Sequence, residues 1–297
     1  MYDLSVAAIA PRIELDPRAR RVAIPGRTIR TMKPIRLFWC RGSGRDNAAQ
    51  QNFGDYLSAD IVEFVSGRKV EHASIRRADM IAIGSVLGRE KKAKTWGFPR
   101  KLHIWGTGSG NPDDVFSGRH HFHAVRGTKC LSQIRGKKVK PVLGDPGLLS
   151  ASLVNKPIDK CIRVGLIPHI RDRKNTRMAE LLTRIPGAKV IDVYSPVKQV
   201  LAEIASCDFV LSTSLHGLIV ADSYGVPNQW LSTNRCPRWE YKFQDYYTSF
   251  GFDNPAPLTV DEILLDQSWT IDAALQAYAR PGLDDMKQAL VKAFPDF

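Results

Sequence analysis

Cysteine is sparse and scattered. The five residues, at 40, 130, 161, 207 and 236, show no CxxC spacing. They form neither a disulfide framework nor a zinc ribbon, and reduced thiols in a cytoplasm are expected. No stretch approaches the roughly 18 uninterrupted apolar residues of a membrane-spanning helix. The opening segment, "MYDLSVAAIAPRIELDPRARRV", carries Asp3 and no long apolar run, which argues against a signal peptide. Acidic residues are in the minority: 43 Lys and Arg face 30 Asp and Glu, a formal charge of +13. Zinc-finger, RNP and K-homology patterns are all missing, so nucleic acid is not the expected partner of that charge. Phosphorylated small molecules or an anionic membrane face would suit it. Short-period repeats and low-complexity segments are absent too.

A chain of 297 residues, 43% hydrophobic and 25% charged, is long enough for two domains that each bury a core. Residues 1–34 are rich in Arg and Pro and read as a basic arm. Short apolar runs then alternate with helical patterns. "IRLFW" (35–39), "DMIAIGS" (79–85), "KLHIWGTG" (101–108) and "FHAVRG" (122–127) are predicted strands. Residues 55–67 and 128–136 are predicted helices, the first stopping at Gly67. The pattern resets through "SLVNKPIDKC" near 150–161. A second series follows, with strands at 162–169, 188–193, 208–212 and 227–231 and helices near 175–185, 196–206 and 216–224. A last helical stretch is expected over 270–294. Strands alternating with helices imply parallel sheets. The predicted fold is α/β, two Rossmann-like domains facing a cleft, over 35–155 and 156–297.

Ligands of open parallel sheets bind beyond the carboxyl ends of the strands. The polar residues there are "GTGSGNPDD" (106–114), Arg126, Asp145, His169, Arg171, Arg173, Ser195 and Ser212 to His216. The dipole of a helix start disfavours the imidazolium of His216, and neutral imidazole suits proton transfer. Hydrogen bonding to a neighbouring strand is its alternative role. Ser212, Thr213 and Ser214 are N-capping types, and the amides they lead into form an anion site. "NFGDYLS" places Asn52, Gly54 and Asp55 at a helix entry. Asp55 suits a cap there, and Gly54 suits close backbone approach to a ligand. Arg126 can fork onto a carboxylate or phosphate, or form an ion pair within the protein. Gly106, Gly108 and Gly110 match neither GxGxxG nor a P-loop, so they read as a cleft loop. Trp239, Tyr241, Tyr246 and Tyr247 are core or rim residues, or aromatic faces for sugar rings. In "HHFH" (120–123), His121 and His123 share a strand face but lack acidic or Cys partners at ligand spacing, so no metal site is expected.

Taken in order, "NFGD", "GTGSG", "VRG", "GDPGLL", a strand ending "IPH", and "CDFVLSTSLHGLIVADSYGVP" resemble the polysaccharide pyruvyltransferase family, over roughly residues 35–255. The resemblance implies a two-domain fold like that of GT-B glycosyltransferases, with the acceptor on the first domain and the donor on the second. It implies phosphoenolpyruvate as co-substrate, no cofactor or metal, and a pyruvate ketal set across two sugar hydroxyls with release of phosphate. Arg126, His216 and Lys242 match family positions. The family's Arg two residues before the His is Ser214 here, followed by Leu215, so another cation such as Arg171, Arg173, Arg235 or Arg238 must carry its charge. On this reading His216 is the acid/base, Arg126 and Lys242 hold carboxylate and phosphate, and Asp55 or Asp145 orients the sugar or acts as base. Asn52, Gly54, Gly108 and Asp145 lie on the acceptor side. A lipid-linked or polymeric saccharide of a bacterial exopolysaccharide, met at the cytoplasmic face of the inner membrane, is the implied acceptor. A glycosyltransferase using a nucleotide sugar, or a non-catalytic saccharide- or phosphate-binding protein, is the alternative.

Overall fold

The computed structural model describes residues 33–41, 51–95, 97–136, 139–154, 156–265 and 269–297. Nearly all of the arm expected over 1–34 therefore lies outside the described residues. Two parallel sheets dominate. The first contains β1 (Ile35–Phe38), β2 (Val70–His72), β3 (Met80–Ile81), β4 (His103–Trp105), β5 (His121–Val125) and β6 (Val142–Leu143), in spatial order β6-β5-β4-β3-β1-β2. The second contains β7 (Ile162–Ile167), β8 (Ala188–Val190), β9 (Cys207–Ser212), β10 (Asn228–Ser232) and β11 (Leu258–Thr259), in order β8-β7-β9-β10-β11. Every pairing within both sheets is parallel. Both orders double back after their second strand, as in flavodoxin-like sheets. Each therefore has a switch point where the loops diverge, at β1/β3 and at β7/β9.

Local sequence explains the elements that frame those points. In β7, Val164 and Leu166 face one side and Gly165 and Ile167 the other, so both faces are covered and the run is almost wholly apolar. α1 (Phe53–Ser66) buries Phe53, Leu57 and Ile61, spaced by four, and stops at Gly67, whose φ of 63° is the left-handed cap. Three further helices, α2 (Thr128–Ser132), α3 (Thr176–Arg184) and α4 (Val197–Ala205), precede α5 (Leu215–Ser223), which is buried on nearly every side, as its apolar residues all round require. It packs against α4, β9, β10 and the 3-10 turn Pro146–Leu153, which also packs against α1. One apolar cluster holds Leu37, Leu57, Leu148, Leu218, Ile219 and Val210 together and so joins both sheets. Leu218 has no exposed surface, and truncating such a residue to Ala costs about 2–5 kcal/mol.

Two expectations need correction, and residues 234–247 gain an element. Only Met80–Ile81 of the 79–85 stretch forms strand; the rest turns away through Gly84, at φ 97°. Residues 234–247, read for their cations and aromatics, enter a helix, α6 (Pro237–Thr248), with Pro237 in its first turn and Tyr241, Phe243, Tyr246 and Tyr247 buried. The stretch 270–294 is two helices, Ile271–Ala277 and Leu283–Lys292, split where Pro281 lacks an amide donor and Gly282 adopts φ 70°. The segment between them is pinned to the end of α5, where Asp222 accepts from Tyr278 and Arg280 at 2.9 Å each, and Arg280 also donates to Asn228 Oδ1 in β10 at 3.0 Å. The helix beyond it returns to the first sheet, and Trp105 donates to Leu290 O.

Candidate active site

The two switch points meet. Phe53 N, at the start of α1, donates to Val193 O, which fixes the helix entry onto the second half of the chain. Gly54 then lies directly against His216: a Cβ at position 54 would stand 2.2 Å from Nδ1. Only Gly permits that approach. Gly84 closes the same corner from β3, within 4.0 Å of His216 Cε1 and 3.7 Å of Asp55 Oδ1, measured from the position its Cβ would take.

His216 is the second residue of α5, with Ser214 at the N-cap position and Leu215 buried beside it. Burial, then Lys242, then Arg126 push its pKa down to about 3. It is therefore neutral near pH 7, through burial and nearby cations rather than through the helix start. Its Nε2 is shut off from water and has no hydrogen-bond partner among the described residues. A buried nitrogen left without a partner costs free energy, so it marks a place where something else belongs. Burial raises Asp55 to about 6, against a hydrogen bond from Asn52 Nδ2 (3.1 Å) and the charge of Lys242.

A cavity of about 240 Å³ opens at the carboxyl ends of β7, β9 and β10, with His169, Asp172, Thr213, Trp239 and Lys242 among its walls. Lys242 projects from α6. Burial and the charges of Arg126 and Arg171 lower it to about 8. Its Nζ has no hydrogen bond or ion pair among the described residues, only the Phe243 ring at 5.2 Å. Burial, then the same ammonium, depresses His169, to about 3, as it does His216, and the ammonium also helps hold Asp55 down against its burial. Behind burial, this one cation thus acts on His169, His216 and Asp55 alike.

The sequence reading missed Asp172. Its Oδ2 accepts from Thr213 Oγ1 at 2.7 Å and its Oδ1 from Thr233 Oγ1 at 3.0 Å, while Thr213 Oγ1 accepts from His169 N. It ties together the loops after β7, β9 and β10. Its place between Arg171 and Arg173, in "HIRDR", was the available signal.

Other expected residues lie elsewhere. Arg126 is fully buried away from the cavity wall. Its Nε donates to Asp245 Oδ2 (2.9 Å), its Nη2 to Ser109 O (2.6 Å) and its Nη1 to Ser85 Oγ (3.0 Å). Gly108 lies on that guanidinium, where a Cβ would be 2.4 Å from Cζ, so its lack of a side chain serves Arg126. Asp145 is sealed from solvent as the cap of the Pro146–Leu153 turn, Oδ1 accepting from Gly147 N, and burial raises it to about 7. Of the two expected loop cations, Arg171 stacks over Trp239, 3.3 Å from the ring centroid, on the cavity rim. Arg173 turns away to Asp192 and Tyr194. The "HHFH" histidines are tied up structurally: His120 bonds Glu90 Oε2, and His123 stacks on His103. Among the described residues no group of three or more His, Cys, Asp or Glu could hold a metal ion.

The switch points of this α/β chain thus bring together an ammonium without an ion pair, a neutral His and a raised carboxyl, groups of the kind that cluster at functional sites. The polysaccharide pyruvyl transferase model matches residues 52–235, more than half the chain, and the protein belongs to that family. Lys242 lies beyond the matched segment. The chain is similar to the succinoglycan biosynthesis protein ExoV of Rhizobium meliloti (strain 1021), 26% identical over 207 residues, covering 67% of this chain and 62% of that one. It is also similar to uncharacterized protein L143 of Acanthamoeba polyphaga mimivirus, 35% identical over 147 residues, covering 44% and 48%. The chain thus spans about half to three-fifths of the length of these relatives.

Proposed function

We propose that the protein transfers the pyruvyl group of phosphoenolpyruvate to two hydroxyls of a hexose in a polysaccharide repeating unit, forming a ketal and releasing phosphate. The carrying observation is Lys242, a half-buried ammonium that forms no hydrogen bond or ion pair among the described residues, facing a cavity beside the start of α5. A small dianion supplies the missing charge, and the Lys ammonium, the Arg171 guanidinium and helix-start amides are the groups that bind one. The two sheets are read as Rossmann-like units of a GT-B-type architecture. The relative involved in succinoglycan biosynthesis supports a saccharide acceptor. The exposed face of Trp239, at the cavity rim, offers the apolar surface a hexose ring stacks on.

The chemistry needs one proton given and one taken. The first acceptor hydroxyl attacks C2 of the donor. Its proton passes to the unpartnered Nε2 of neutral His216, while Asp55, protonated below about pH 6, gives its proton to C3, so that methylene becomes methyl. The C–O bond to phosphate then breaks, and phosphate leaves with the proton from His216. The second hydroxyl bonds to C2 and returns its proton to Asp55. Both groups end as they began. Lys242 and Arg171 balance the charge that gathers on the leaving phosphate. This assigns Arg126 to shaping the field and Asp172 to holding the loops.

Thermal unfolding with phosphoenolpyruvate, UDP-sugars and GDP-sugars tests the donor, because a ligand bound only by the folded state raises the midpoint. A rise with phosphoenolpyruvate alone, lost in Lys242→Met, is the expected result. A rise with a nucleotide sugar instead would move the chain to the glycosyltransferases and overturn the reading.

A further inference from the structure

Residues 91–101 read "KKAKTWGFPRK", five cations and no acid. They begin with the last two residues of the 3-10 turn Leu87–Lys92 and continue into a hairpin in which Lys94 pairs with Pro99 and Thr95 with Phe98, antiparallel. The base is firm: Arg100 N donates to Ala93 O at 2.9 Å, and Leu87 and Ala93 are buried in a cluster with Ile81, Leu102 and Ile104. Phe98 takes no part in that core and is 75% exposed. Lys92, Lys94 and Lys101 are exposed and form no ion pair among the described residues, while Lys91 reaches Asp114 at 3.2 Å and Arg100 shares Asp79 with Arg36. The basic surface continues on both sides. Arg100 donates to Arg76 O in the neighbouring loop, and Lys101 lines a groove of about 580 Å³ with Arg119 and with Val139, itself 70% exposed.

A rigid loop that holds a bare aromatic ring outward among unpaired lysines satisfies neither water nor an apolar protein partner. An anionic bilayer surface satisfies both, because lipid phosphates meet the cations and the ring enters the headgroup boundary. Nucleic acid would match the charge, but the sequence carries no RNP, K-homology or zinc-finger pattern to read it. The hairpin leads straight into the amino end of β4, whereas the cavity lies at the carboxyl ends of strands in the second sheet. Docking through it leaves the cavity open. We infer that the 91–101 hairpin is a peripheral docking surface for anionic phospholipid membrane.

The test is sedimentation of the full chain with vesicles of phosphatidylcholine alone and of phosphatidylcholine mixed with phosphatidylglycerol. It involves no turnover, so its outcome is separate from the donor assignment. The expected result is binding to the mixed vesicles only, weakened about tenfold or more in Lys92→Glu/Lys94→Glu and in Phe98→Ser, and lost at high salt. These side chains are exposed, so unchanged thermal midpoints are expected to show that both variants fold. Equal binding to neutral vesicles, or mixed-vesicle binding untouched by both variants, overturns the inference. So does binding to poly(U) RNA in place of vesicles.

Discussion

Nδ1 of His216 occupies the space that a side chain at Gly54 would fill, 2.2 Å from where its Cβ would stand. No real contact is that short, and the helix carrying the ring cannot shift to relieve it, because every residue of α5 except His216 is buried. Gly54→Ala must therefore push the imidazole out of the corner it shares with Asp55. Overpacking of this kind costs about 1–3 kcal/mol. The expected outcome is a folded protein of lowered thermal midpoint that releases almost no phosphate from phosphoenolpyruvate. Full activity in Gly54→Ala would show that the observed place of His216 is not the working one.

Arg126 and Asp245 form an ion pair with no exposed side-chain surface on either partner. Removing one partner leaves the other charge buried and alone, which costs about 3–5 kcal/mol. Arg126→Ala and Asp245→Ala are each expected to lose stability on that scale in urea, and the double variant less than their sum. A near-additive double variant would mean that Arg126 works mainly on something other than Asp245, a bound anion being the first candidate.

How legible this was in the sequence can be traced to particular residues. The parallel α/β class followed from the alternation of apolar runs and helical patterns, and strand ends pointed to His216, while Asp55 came from the helix entry "NFGD" and Lys242 from the family resemblance. What could not be seen was which cations were already occupied. Arg126 looks free in "VRG" because its acid, Asp245, is 119 residues away. Arg173 looks equal to Arg171 because nothing local shows that one turns to Asp192 and the other to Trp239. Asp145 looked like a cleft residue at a strand end, yet Pro146 and Gly147 after it make it a cap. α6 was hidden because its aromatic residues are buried on several faces and give no clean stripe.

Asp55 titrates near pH 6 in the fold against about 4 in an unfolded chain. Its folded pKa is raised, so the stability it contributes is complete below about pH 4 and is lost as pH rises through about 6, on the order of 3 kcal/mol. Asp55→Asn should accordingly gain on the wild type in urea melts as pH rises over that window. Activity follows the same proton. As the acid of the reaction, Asp55 makes kcat/KM fall above about pH 6, and Asp55→Asn should flatten the profile while lowering the rate about 10²–10⁴-fold. His216, neutral above about pH 3, adds no limb of its own near neutrality. A profile that breaks near 6 in both proteins would remove Asp55 from the proton transfer.

Lys242 carries the opposite sign. Burial and the charges of Arg126 and Arg171 hold its ammonium down to about 8 from an ordinary 10.5, so the charged form is the strained one. The penalty is present at neutral pH and is relieved as pH rises from about 8 toward 10.5, on the order of 3 kcal/mol. Lys242→Met should then be more stable than the wild type at pH 7, as residues kept for binding at the expense of stability often are when replaced. Donor affinity should behave in reverse. Deprotonation removes the charge the anion pairs with, so the Kd of phosphoenolpyruvate, followed by calorimetry, should weaken about tenfold per pH unit above about 8. Lys242→Arg, whose guanidinium stays charged, should abolish that break even if the fit is poorer. A Kd that is flat with pH in the wild type would mean that the anion is held by other groups and that Lys242 only tunes its neighbours.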